Sequence, residues 1–249
     1  MPVHNPAMKS GPLFRALVFL SLASLAVAGP VEDMIAKARA YLGPEAALDG
    51  VRTIHFKGTL ELDANTRVPI DIVFQKDNQQ RITASAEKVI ETTALDGYDA
   101  WQKRTDAAAP SRWQLTLLDA QQVKKLRANT WENLHFFKGI EKRGGRVEHG
   151  GESDVDGRTC IKLTYYHTDA IWFARYFDKA TGKLMKTVTD NGSEIREEGE
   201  MVVDGIRFPK KVISKSPNGQ VTTITFDRLE LNKPVPASEF AVPNLKPGS

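Results

Sequence analysis

Apolar and polar residues alternate with a period of two along most of this chain, and two stretches depart from that to a period near 3.6. The first departure is at Val31, Met34, Ile35, Ala38, Tyr41 and Leu42, which fall on one face of a helix. Glu32 and Asp33 suit its positive N-terminal end, Gly43-Pro44 stops it, and a short turn follows from Glu45 to Leu48 before Asp49-Gly50. The pattern then switches. In TIHFKGTLEL, Ile54, Phe56, Leu60 and Leu62 share one face, while Thr53, His55, Lys57, Thr59 and Glu61 share the other. That is a half-buried strand, with Gly58 on its apolar face marking a bend or bulge. Val68, Ile70, Ile72 and Phe74 repeat the alternation, and further strands are predicted over Arg81–Ala86 and Val89–Leu95. The second helical stretch runs from Asp119, a capping residue with Gln122 three positions on, through Val123, Leu126, Thr130, Leu134 and Phe137 to a stop at Gly139.

After that helix the chain is a run of strands and tight turns. Asp156-Gly157, Thr181-Gly182, Asn191-Gly192, Asp204-Gly205 and Asn218-Gly219 recur at intervals of about 10 to 25 residues, the spacing of consecutive hairpins. Between them lie Ile161–His167, Ile171–Phe177, Leu184–Thr189, Ile195–Val203, Ile206–Ser214 and Val221–Leu231. A long meander must close into a barrel or curl around something that covers its apolar face, and the two helices are the available cover. The expected fold is therefore mainly β (α+β), a half-open antiparallel barrel of about 11 strands under a few helices. With no linker or low-complexity stretch, residues 29–249 read as one domain.

The first 28 residues change the picture of where the protein works. Lys9 and Arg15 precede the uncharged run Ala16 to Ala28, which ends in Ala26-Val27-Ala28, a small-x-small cleavage site. This is the order of a secretory signal peptide, and the run falls short of the roughly 20 residues needed to span a bilayer. No Cys follows it as a lipidation site, so the mature product is expected to be free in the periplasm. Cys160 is the lone cysteine; it sits in the strand TCIKLTYY and reads as an inert packed thiol. Removing Lys9 and Arg15 from 34 basic and 31 acidic residues leaves the mature part near neutrality. The charges are interspersed, which argues against a nucleic-acid partner.

Catalytic chemistry is not legible. The chain lacks Gly-x-Ser-x-Gly, His-Glu-x-x-His, a phosphate-binding glycine loop and a dinucleotide fingerprint. His55, His135, His149 and His167 do not supply a metal set, although His167 and Asp169 would share a strand face. Asp154-Val155-Asp156-Gly157 reads as a hairpin turn because the later oxygens and terminal Glu of a calcium loop are missing. Glu197, Glu198 and Glu200 read as a solvated edge. No catalytic residue, metal or cofactor is expected. What remains is the set of large apolar residues on strand and helix faces. Phe56, Leu60, Ile72, Phe74, Trp101, Trp113, Trp131, Tyr165, Phe173 and Phe208 are the candidates for lining one concave ligand-binding surface. The plain reading is a filled core. Against it stand the size of the meander, since wide barrels enclose cavities, and the small number of cover helices.

Three stretches resemble the LolA-like family of periplasmic lipoprotein carriers and outer-membrane lipoprotein-sorting proteins. They are the order helix, short turn, VRTIHFKGTLEL; LDGYDAWQ at Leu95 to Gln102; and a tail reading YFDKATGKLMK, VDGIRFPKKV and LNKPVPASEFAVP. Together they cover nearly the whole mature chain. The resemblance implies a half-open barrel whose inner face shields acyl chains of lipoproteins or lipids. It also implies inner- or outer-membrane sorting components as partners and a monomeric, non-catalytic carrier. The stretch after the second strand, FQKDNQQR, carries Lys76 and Arg81 but no Pro, so the family's lid-closing Arg is not placed. Two other readings stay open. One is an envelope interaction protein with a filled core that docks a partner through a sheet edge. The other is a hydrolase with a scattered active site.

Overall fold

Hairpin after hairpin, the polypeptide builds one continuous antiparallel sheet. The computed structural model describes residues 29–243 apart from Ala64, so the stretch expected to be a signal peptide lies outside the described residues. Two helices open the chain, α1 (Pro30–Leu42) and α2 (Glu45–Gly50). Six strands follow: β1 (Thr53–Glu61), β2 (Arg67–Gln75), β3 (Gln79–Ser85), β4 (Val89–Asp96), β5 (Asp99–Asp106) and β6 (Trp113–Leu117). After α3 (Ala120–Leu134) come β7 (Arg146–Val155), β8 (Arg158–Thr168), β9 (Ile171–Asp178), β10 (Leu184–Thr189), β11 (Glu194–Val203), β12 (Ile206–Lys215) and β13 (Val221–Leu231).

The spatial order is β6-β5-β4-β3-β2-β1-β13-β12-β11-β10-β9-β8-β7. The first strand therefore pairs with the last, and β6 and β7 are left as free edges. This is an open sheet of 13 strands, not a closed barrel. Beyond the ten stretches named from the sequence, the sheet has β5 and the two edge strands. β6 is mostly exposed on both faces, so it lacks the alternation that marks a half-buried strand. β7, RVEHGGESDV, is mostly charged or glycine and is broken by a register shift between His149 and Glu152. Such features blunt an edge and erase its sequence signal.

Alternation sets the two faces. Ile54, Phe56, Ile70, Ile72 and Phe74 point to the concave side with Phe208, Phe226, Leu229 and Leu231, and α2 covers them through Leu48. At Gly58 the sheet requires glycine. A Cβ there would lie 2.1 Å from the Thr225 carbonyl oxygen, and the β1–β13 register shifts between Lys57 and Gly58. A second concave cluster joins Met34 and Ala38 of α1 and Trp131 of α3 to Leu163, Tyr165 and Phe177. The helix α3 thus spans the open side of the sheet, since it packs on β2 to β5 and also reaches β8. Asp119 caps it as the sequence predicts: its carboxylate accepts from Gln121 N and Gln122 N, and the Gln122 side chain returns to Asp119 N.

The C-terminal segment crosses the convex face. Trp101 Nε1 donates to the Phe240 carbonyl oxygen over 2.9 Å, and Phe240 is fully buried. Beside it Asp71 accepts from His55 and Arg81, and Arg81 also pairs with Glu239. Burial alone would raise the Asp71 carboxyl; the His55 and Arg81 contacts overcome that and lower it.

Candidate functional site: a concave apolar face and its plug

The concave face is the one surface where most of the candidate residues meet. Phe56 lies 4.4 Å from Phe226 and 6.1 Å from Phe208, centroid to centroid, and Ile72 and Phe74 flank it on β2. Leu60 continues the stripe and is partly buried. On the other half, Tyr165 and Trp131 are buried together at 6.4 Å, and Phe173 stands beside Tyr165 on β9, edge-on to His167. Trp101 and Trp113 fall on the opposite side. Leu95 pairs with Ala100 against Val123 of α3, so Trp101, one residue on, points to the convex face under Phe240. Trp113 shares that face through Thr105, at the β6 edge below Lys103. The adjacent Ala100 was the inward residue; size alone did not reveal the face.

A plug fills the concavity, and its tip is a departure from the expected helix. The periodicity predicts helix to Lys138, but α3 ends at Leu134 because Phe136 and Phe137 adopt positive φ of 46° and 73°. Left-handed backbone at a bulky residue costs of order 1–2 kcal/mol each. The return is two buried rings, each worth roughly 1.5–3 kcal/mol. Phe136 enters the first cluster against Phe208, and Phe137 enters the second against Phe177 at 5.0 Å.

Arg39 holds this turn in place. It is 2% exposed, on the edge of the apolar stripe of α1. Its Nη1 donates to the carbonyl oxygens of His135 and Phe136 (3.1 and 3.0 Å), the acceptors that the end of α3 leaves free. Its Nε reaches Glu45 at 2.7 Å and its Nη2 reaches Asp49 at 2.6 Å. Lys138 adds a 2.5 Å contact to Glu45. Sequence reasoning missed Arg39. The available signal was a charged residue lodged between Ala38 and Leu42 on a helix meant to be buried.

Polar chemistry inside the concavity gathers on α3, β8 and β9. Glu132 accepts from His167 Nε2 at 2.6 Å and pairs with Arg175. The Arg175 guanidinium lies over the rings of Phe137 (4.7 Å) and Tyr165 (5.2 Å). Arg175 Nε and Nη1, Tyr165 Oη and Trp131 Nε1 are buried without a protein partner. His167 does not pair with Asp169, which binds Arg146 at the surface. Glu197 is exposed, as expected of it, but it does not stand at an edge. Its strand β11 lies inside the sheet, and alternation with Met201 and Val203 turns it to the concave side. Glu200 instead bonds Tyr41, whose phenol is pushed up to about 12 by burial and then by that carboxylate.

Other sequence readings are placed directly. Asp156 and Gly157 both take positive φ, 54° and 76°, as a tight hairpin between β7 and β8. Cys160 is buried, and burial pushes its thiol up. Among the described residues no group of three or more His, Cys, Asp or Glu is placed to hold a metal ion. The void beside Glu197, between α1 and β10–β12, is about 40 Å³. That admits water but not an alkyl chain. A larger groove of about 910 Å³ lies outside the sheet, between α1, Lys138 and Arg207.

The fold as a whole superposes on solved structures. A DUF1329 family protein from Desulfovibrio piger superposes with a TM-score of 0.56 at 11% identity, covering 86% of this chain and 98% of its own. A LolA superfamily protein from Nitrosomonas europaea gives 0.56 at 12% identity, over 86% of this chain and 99% of its own. This chain has the LolA-like fold. An outer membrane lipoprotein-sorting protein domain from Vibrio parahaemolyticus matches the same LolA-like shell with a TM-score of 0.54 at 13% identity, over 84% and 97% of the two chains. No protein-family model and no curated protein matches the sequence. In this LolA-like chain the open sheet has 13 strands, and the plug is α1, α2 and the Phe136–Phe137 turn.

Proposed function

We propose that this protein is an exported, monomeric and non-catalytic carrier that shields acyl chains of a lipoprotein or lipid on its concave face. The observation that carries the reading is a contiguous apolar surface covered by segments that are not part of the sheet. Phe56, Leu60, Ile72, Phe74 and Phe208 line one half, and Trp131, Tyr165 and Phe173 line the other. Leu48, Phe136 and Phe137, which close over them, come from short segments tied down by the polar contacts of Arg39 and Lys138. An alkyl chain entering there replaces one apolar contact by another, at about 0.8 kcal/mol per methylene removed from water. Opening costs the Arg39 contacts and as much of the burial of Phe136 and Phe137 as the alkyl chain does not replace. Arg175, with two buried donors free, supplies a polar end point for an ester or carboxyl oxygen. The signal-peptide pattern of residues 1–28 supports delivery to the periplasm, where lipoprotein-sorting components of the inner or outer membrane are the fitting partners.

Binding of a fluorescent fatty acid to delipidated protein tests this. Saturable binding that weakens in Phe208→Asp supports it, and no binding above background contradicts it. A second reading rests on the small internal void. A filled shell that docks an envelope partner by strand addition at β6, where Leu117 is 67% exposed, fits that observation. It predicts no acyl binding and a partner lost on Leu117→Lys.

A further inference from the structure

A second depression, of about 340 Å³, opens between the tip of the β4–β5 hairpin, the outer flank of α3 and the 3-10 turn at Ile140–Arg143. Tyr98, Arg127, Arg143 and His167 line it. Arg127 lies over the Tyr98 ring at 3.9 Å and donates to the Gly97 carbonyl oxygen at 2.9 Å. Arg143 donates to Asn78 Oδ1 at 2.7 Å. These contacts hold both guanidinium groups in position with neutral partners only; among the described residues neither makes an ion pair with a carboxylate. Glu132, behind His167, is already shared between His167 and Arg175. Among the described residues Asp77 is the one acid facing Arg143, and Lys76 from the same turn offsets it. The positive potential registers on neighbouring groups. Burial and then the nearby Arg127 lower Arg143, and His135 is pushed down to about 4 by burial and then by Lys76.

Two like-charged guanidinium groups held in one concavity repel each other, and that arrangement is stabilised by an anion between them. Guanidinium forks suit the tetrahedral oxygens of phosphate through paired donors. We propose that the Arg127–Arg143 pocket binds a phosphate group, carried by a lipid headgroup or by a soluble phosphate ester. The pocket has room for the phosphate and the atoms attached to it, and its polar lining of Arg127, Arg143, His167 and Tyr98 suits the phosphate rather than an acyl chain. The depression adjoins the concave face through His167, but its charged groups are Arg127 and Arg143, so the proposal stands without acyl binding at that face.

Calorimetric titration of the full mature chain with glycerol 3-phosphate, dihexanoyl phosphatidic acid and dihexanoylglycerol tests it. Saturable binding of both phosphates, weakened about tenfold or more by Arg127→Gln and by Arg143→Gln in folded protein, is the expected result. Equal affinities for the two phosphates assign the source to a soluble ester, and more than tenfold tighter phosphatidic acid assigns it to a headgroup. Dihexanoylglycerol binding as tightly as phosphatidic acid, with glycerol 3-phosphate inert, overturns the proposal while leaving the acyl reading standing. Binding unchanged in folded Gln variants overturns it as well. Should a Gln variant not fold, Arg127→Lys keeps the charge but loses the fork; glycerol 3-phosphate must then weaken at least about threefold, and no change overturns the proposal.

Discussion

Replacing Arg39 by Met is expected to loosen the plug while leaving the sheet intact. Met keeps most of the aliphatic stem, so packing against α1 and the Phe136 turn is largely retained. Four contacts go: Glu45 at 2.7 Å, Asp49 at 2.6 Å, and the carbonyl oxygens of His135 and Phe136 at 3.1 and 3.0 Å. The two carboxylates are 53% and 56% exposed and regain water, so their loss is small. The two carbonyl oxygens at the end of α3 are less fortunate, since a buried acceptor left unpaired costs about 1–3 kcal/mol. The net destabilisation is about 2–4 kcal/mol, which for a domain of this size lowers Tm by roughly 5–15 °C. Thermal unfolding followed by circular dichroism gives the first number. Stopped-flow uptake of a fluorescent fatty acid gives the second, and uptake should quicken because the turn carrying Phe136 and Phe137 is released. Arg39→Lys should fall between, since an ammonium cannot reach all four acceptors at once. A Tm within about 2 °C of the parent, together with unchanged uptake, would refute the assignment of Arg39 as the fastening of the plug.

Gly58→Ala should destabilise by about 2 kcal/mol or more, because the new methyl meets the Thr225 carbonyl oxygen; urea unfolding checks it against Gly50→Ala, where nothing lies within 4 Å. Asp178 is held down to about 2 by Arg158 and then by the Thr181 amide. Its stabilisation is complete above about pH 4 and lost as pH falls through 2, so Asp178→Asn should lower stability at pH 7 by about 1–2 kcal/mol and converge with the parent in strong acid. His135, pushed down to about 4 by burial, protonates more readily in the unfolded chain. Its contribution is present above about pH 6.5 and lost as pH falls toward 4, so His135→Gln should flatten a stability-against-pH slope of about 2–3 kcal/mol across that window. A slope unchanged in His135→Gln would contradict that assignment.

Much of the fold was legible because β1 and β2 alternate apolar and polar residues and because the strands after α3 are separated by turn signals. The turns at Asp156-Gly157 and Asp204-Gly205 were legible because tight hairpins demand positive φ, which both pairs adopt. The edge strands β6 and β7 were not, since a strand exposed on both faces carries no period. Of the candidate surface, Phe56, Leu60, Ile72, Phe74, Phe208, Trp131, Tyr165 and Phe173 do gather on the concave side. Trp101 does not, because the C-terminal segment buries it on the convex face and removes the polar marker that would have identified that face, and Trp113 does not, standing 37% exposed at the β6 edge. The plug was the hardest part to foresee. Nothing local announces that Phe136 and Phe137 leave a helical stripe for two separate clusters, or that Arg39 turns inward. Those choices are set by tertiary burial that outweighs helical propensity.

Native mass spectrometry of the protein purified from its periplasm, followed by lipid extraction, tests the carrier account most directly. The account predicts a lipid or acylated peptide bound near one to one, released when Phe208 is replaced by Asp. Protein that emerges empty and refuses added acyl ligands would contradict it and leave the filled shell docking through β6.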